Sequence, residues 1–218
     1  MYFSYTTIVI LAYSIYISGI LGLIRFKHIR DVYKPFIYLI WVGCCNETLT
    51  YFIGKMGYYT YVNGAIYELL ESLLLLWFFK RLGVFKRKYF LQLLIILFVS
   101  LWVAETFFAH RFGTSFTYYY NAVYFFFIVI LSIQAINDLL FTEKELLKNP
   151  TFLICVGLII FFTYGIIVRM FWLFGLNISN DFVKSVHTIL IVINLLANLI
   201  YALAVLWMRK RQAFTLRF

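Results

Sequence analysis

Proline is nearly missing from this chain. Of 218 residues only Pro35 and Pro150 are prolines, and both stand where an apolar run begins. Proline-broken helices, which hold ions in many transporters, are therefore not expected here. Cysteine is as sparse: Cys44, Cys45 and Cys155 all fall inside apolar stretches, which excludes an extracytoplasmic disulfide framework. Cys44 and Cys45 are adjacent and have no histidine near them in sequence, so a zinc pattern is missing too. The histidines are His28, His110 and His187, too few within spans for a zinc-dependent intramembrane hydrolase. The last apolar run has no lysine at mid-span for a retinal Schiff base, since Lys184 sits at its mouth. No nucleophile, base and orienting group can be assembled from the sequence, and the chain is not expected to be an enzyme or to hold a metal or cofactor.

What fills the chain instead is hydrocarbon. Hydrophobic residues make up 64% of it and the mean hydropathy is +0.91, against roughly 45–50% apolar residues in an ordinary globular chain. A bilayer core takes about 20 apolar residues of helix. Such runs lie near residues 3–24, 35–54, 64–80, 89–108, 118–140, 151–175 and 183–207. The expected fold is all-α, a polytopic membrane protein with seven transmembrane helices forming a single domain over residues 1–218. The first run lacks a basic lead-in and a small-residue cleavage pattern, and is expected to be a true span rather than a signal peptide.

The net charge of +10 does not point to nucleic acid, because the bases are shared among alternate short loops. Fifteen lie between spans one and two (Arg25 to Lys34), three and four (Lys80 to Lys88), five and six (Lys144, Lys148) and in the tail (Arg209 to Arg217). The other loops hold Lys55, Arg111 and Lys184. By the positive-inside rule the N-terminus is outside and the C-terminus cytoplasmic. Tyr58, Tyr59, Tyr61 and Tyr118 to Tyr120 stand where an aromatic belt would anchor the outer boundary. In one inner loop Thr142 and Glu145 fit a capping box, and Asn149 precedes Pro150 as the N-cap of span six.

Ionisable groups inside a membrane are costly and mark sites by default. Glu47, Glu68, Glu71, Glu105 and Arg169 lie within apolar spans, and the predicted topology puts all five in the outer half. Asn63, Tyr67 and Glu71 follow at four-residue steps and share a helix face, with Glu68 one turn from Glu71. His187, Asn194, Asn198 and Tyr201 form one polar stripe on span seven. Glu68 and Glu71 are expected to share protons, because two like charges one turn apart resist ionising together. His187 and Glu105 lie close enough to the outer surface to be simply solvated. Gly157 and Gly165 are the best candidate hinges in span six. The candidate ligand-binding set is Glu47, Asn63, Tyr67, Glu68, Glu71, Arg169, Asn194 and Asn198, facing an outer-half pocket for a small cationic or polar ligand.

Asn46-Glu47-Thr48, the run Asn63 to Glu71, Phe78-Phe79, and Lys148 to Leu153 with Gly157 carry a resemblance. On these motifs the chain resembles a family of small seven-helix membrane proteins of Bacteroidota. That family is similar to the seven-helix input modules of some bacterial sensor histidine kinases. The resemblance implies a sensory role in a bacterial inner (cytoplasmic) membrane. The protein would bind its ligand from the outer side and signal to a separate cytoplasmic partner, through the basic loops and the Thr142–Pro150 segment. The competing expectations are a proton- or cation-coupled transporter of small solutes and a structural subunit of a membrane assembly.

Overall fold

The computed structural model describes residues 5–109, 117–141, 145–173 and 180–208. His110, Arg111, Thr142 of the expected capping box, Lys144 and the basic tail from Arg209 lie outside the described residues. Those described are helical, without a strand among them: α1 (Tyr5–Ala12), α2 (Ile15–Arg25), α3 (Lys34–Lys55), α4 (Tyr61–Leu82), α5 (Lys88–Val103), α6 (Tyr118–Leu140), α7 (Pro150–Leu173) and α8 (Asn180–Trp207). Among the described residues seven segments are long and apolar enough to cross a membrane: Val9–His28, Lys34–Lys55, Tyr61–Leu82, Lys88–Phe108, Tyr118–Leu140, Pro150–Phe171 and Ser185–Trp207. The chain is a multi-pass membrane protein.

The first span departs from expectation, being two helices rather than one. At Tyr13-Ser14 the α1–α2 ladder tightens: Ser14 N–H reaches Leu11 O, Tyr16 N–H reaches Tyr13 O, and Ile17 N–H reaches Ser14 O. Such three-residue bonds shift the helix phase, and a side chain from a neighbouring helix, Asn198 Nδ2, donates to Ser14 Oγ at 2.9 Å. No proline or glycine stands at the break, so composition could not announce it.

The helices close into a ring. α2 packs on α3, α3 on α4, α4 on α6, α6 on α7, α7 on α8, and α8 returns to α1 and α2. α5 stands outside the ring, packed chiefly on α4 and α6, with Leu93, Ile96 and Val99 exposed as a lipid-facing surface requires. The two ends of the ring differ. At the end carrying the basic loops (the basic end), Phe36, Ile37, Leu75, Phe78, Phe79, Ile128, Ile154 and Ala204 are fully buried in one core. Polar ties cross the same end: Arg25 Nη2 donates to Met208 O at 3.0 Å, and the Tyr33 and Thr151 hydroxyls are 3.1 Å apart. Asn149 caps α7 as its sequence predicts, its Oδ1 accepting Thr151 N–H at 2.9 Å ahead of Pro150.

α7 runs unbroken through Gly157 and Gly165, the residues expected as hinges. They are notches instead. A Cβ on Gly157 would stand 2.5 Å from Tyr201 Cε1, and one on Gly165 would stand 2.6 Å from Phe125 Cε2. Without hydrophobic drive between helices in lipid, close approach over small residues is a main source of cohesion. Gly157→Val should therefore cost about 1–3 kcal/mol through overpacking. Gly54→Ala, where a Cβ would meet nothing within 4 Å, should leave stability unchanged or raise it by up to about 1 kcal/mol. Thermal unfolding of both variants in detergent checks this, and equal melting temperatures would contradict the notch.

Candidate functional site

At the end opposite the basic loops (the far end), α5 finishes in a π-turn, Ala104–Ala109, that carries Glu105. The wider turn sets its carboxylate against the start of α6, where it accepts Tyr119 N–H at 3.0 Å and Tyr120 N–H at 2.7 Å. Helix N-termini leave such donors without intrahelical partners and carry partial positive charge. Glu105 is 5% exposed. The expectation that it reaches outer water is corrected: it is the N-terminal cap of α6.

Glu68 is gripped more fully. Oε2 accepts the Thr117 hydroxyl at 2.6 Å, and Oε1 accepts Asn121 Nδ2 at 2.8 Å and Arg169 Nη2 at 3.3 Å. One carboxylate on α4 thus ties the start of α6 and the far end of α7. Glu71, one turn deeper, takes Tyr67 OH on Oε1 at 2.9 Å and Tyr124 OH on Oε2 at 2.6 Å. The expected proton-sharing pair is not a contact pair, since Glu68 and Glu71 spend their oxygens on different partners. Tyr120 completes the cluster, its hydroxyl 2.7 Å from Ser72 Oγ.

Inside the ring is a cavity of about 400 Å³. Every ring helix contributes to its wall, and α5 does not. Of the candidate residues, Glu47, Tyr67, Glu68, Glu71, Arg169, Asn194 and Asn198 line it. Asn63 is not on the wall; its Nδ2 donates to Asn46 Oδ1 at 2.8 Å and Thr50 Oγ1 at 2.9 Å, binding α4 to α3. Asn198 does two things, lining the cavity and pinning Ser14 at the first-span break. His187 is exposed, as expected, and also borders the cavity. Among the described residues no group of three or more His, Cys, Asp or Glu is placed to hold a metal ion.

The wall changes character along its length. Toward the far end it presents Asn46, Glu47, Glu68, Glu71, Arg169 and Asn194; toward the basic end, Phe36, Ile40, Leu158, Phe161, Phe162 and Tyr201. Phe36 and Tyr201 meet edge to face with centroids 5.2 Å apart. On α3 the step from Glu47 to Phe36 is eleven residues, about 16 Å of helix. Partnering differs as sharply. Glu68 and Glu71 have every oxygen engaged, while Glu47 has no hydrogen bond or ion pair among the described residues.

Thr117, Asn121 and Tyr124, which fix the two buried carboxylates, are not among the candidate residues predicted from the sequence. Asn121 and Tyr124 are one turn apart, so their shared face is readable, but their partner helix is set by the ring, in which α6 rather than α5 lies beside α4 along the bundle interior. A comparison with family models, characterised proteins and solved structures finds no match.

The two classes of carboxylate should separate on substitution. Glu68→Ala leaves Arg169, Asn121 and Thr117 without their common acceptor and should cost about 2–3 kcal/mol. Glu47→Gln, which breaks no contact, should fall within about 0.5 kcal/mol of the parent. Unfolding in a detergent series measures both; a Glu47→Gln loss as large as that of Glu68→Ala would show that Glu47 is structural.

Proposed function

We propose that this protein is a sensor-like receptor of a bacterial inner membrane, binding a small molecule in the ring cavity from the outer side. It passes a helix shift to a separate cytoplasmic partner. The observation that carries this reading is the asymmetry of the cavity: its charged wall gathers at the far end, while apolar packing and cross-helix ties close the basic end. The basic end faces the cytoplasm under the positive-inside rule, so the polar end of the cavity faces outward. A ligand touching all the ring helices has leverage on each of them, and differential contact between two arrangements is what any ligand-driven shift requires. The basic loops and the segment leading to Pro150 form the contact surface for the partner. The resemblance to seven-helix input modules of sensor kinases agrees with this reading, which includes no catalytic step.

One observation favours a second reading, a proton- or cation-coupled transporter. The break at Tyr13-Ser14 lies beside the cavity, with Ala12 and Ile15 on its wall, and broken helices are where many transporters bind their cargo. The assembly-subunit reading is weaker: Glu68 and Glu71 are 9% and 8% exposed and turned inward, away from any docking partner.

Sidedness separates the first two. Asn194→Cys, in a background where Cys44, Cys45 and Cys155 are replaced, should react with a membrane-impermeant maleimide from the outer face of right-side-out vesicles. It should stay unreactive in inverted vesicles. Labelling from both faces would support the transporter and overturn the receptor.

A further inference from the structure

The charges on the cavity wall are unequally matched, and the mismatch names a ligand class. Arg169, the one arginine or lysine on the wall, is bound to Glu68 at 3.3 Å. Among the described residues, no further arginine or lysine on the wall is left to recruit an anionic ligand. Glu71 has a phenol on each oxygen. Glu47 stands on the wall eight residues inside α3 from Lys55, about 12 Å of helix, and has no hydrogen-bond or ion-pair partner among the described residues. A carboxylate at such depth needs a positive charge or a proton. Beyond it the wall turns apolar and aromatic: Phe161 and Tyr201 are partly exposed on it, with the buried Ile40, Phe36 and Phe162 packed around them. Tyr201 presents a hydroxyl without a hydrogen-bond partner among the described residues.

We propose that the cavity binds an amphiphilic organic cation, its ammonium group on Glu47 and its apolar body against Phe161 and Tyr201. This rests on the receptor reading and gives that same site its ligand chemistry. A metal ion would need several oxygen ligands around one point, and no such cluster exists among the described residues. A sugar or other neutral polyol would leave the aromatic chamber unfilled. An organic ammonium ion satisfies both ends, through a charge-assisted hydrogen bond at Glu47 and dispersion and cation–π contact with the aromatic rings. A volume of about 400 Å³ lies within the range of pockets that enclose such molecules.

The test uses ω-phenylalkylamines with two to six methylenes and the matching alcohols. They are titrated calorimetrically onto the full chain in lipid nanodiscs, with empty nanodiscs subtracted for partitioning. At least one amine should bind about tenfold more tightly than its alcohol. Glu47→Gln should bring the two within about twofold, and Glu47→Asp should keep the preference. No amine preferred over its alcohol, or a preference intact in Glu47→Gln, would overturn the proposal. The amine-to-alcohol ratio on the unaltered protein decides the matter even if the variant does not fold. One-sided maleimide labelling without an amine preference would remove this assignment and leave the receptor standing. Two-sided labelling would remove the receptor whatever the amines do.

Discussion

Glu68 is the group on which the arrangement of the far end depends. A carboxylate within a membrane is tolerable only where protein supplies what water would, and here the supply comes from Thr117, Asn121 and Arg169. Those partners belong to the entry of α6, its first turn and the far end of α7. Satisfying one side chain on α4 therefore fixes three segments. Glu71 and Glu105 repeat the device: Glu71 ties α6 to α4 through Tyr124, and Glu105 carries the end of α5 onto the start of α6. The cost of a buried charge becomes the specification of a helix arrangement.

The cavity follows from that arrangement. With α4 bound to α6, α5 is left outside, and the remaining helices surround a space that their side chains do not fill. At the basic end the ring tightens, through phenylalanines on α3 and α4 and the notch that Gly157 offers Tyr201. At the far end polar side chains tie the helices across the ring, beside the close contact of Gly165 with Phe125. The result is a chamber with a charged wall at one end and an aromatic floor at the other. Among the described residues, Glu47 alone of the wall carboxylates takes no part in holding it together.

Much of this was legible in the sequence. Seven apolar runs fixed the number of spans, and the Asn149-Pro150 cap of α7 was written in two adjacent residues. The face shared by Tyr67 and Glu71 followed from helical spacing, and their hydrogen bond bears it out. What could not be read was contact between distant segments. Glu105 near an outer boundary suggests solvent, and only the π-turn that aims it at α6 shows otherwise. Asn63 shares a helix face with Tyr67 and Glu71, yet its amide turns to α3, because Asn46 and Thr50 are there to accept. The break at Ser14 is met by Asn198, 184 residues away. Glycines at 157 and 165 read equally well as hinges or notches until a neighbour is placed against them.

The proposed role of the chamber is to hold a small molecule. Native mass spectrometry of the protein gently extracted from its own membranes tests it most directly, alongside Leu190→Trp, which puts a larger side chain on the cavity wall. The parent protein should carry a small-molecule adduct that is missing from the filled variant. A parent carrying lipid alone, indistinguishable from Leu190→Trp, would contradict it.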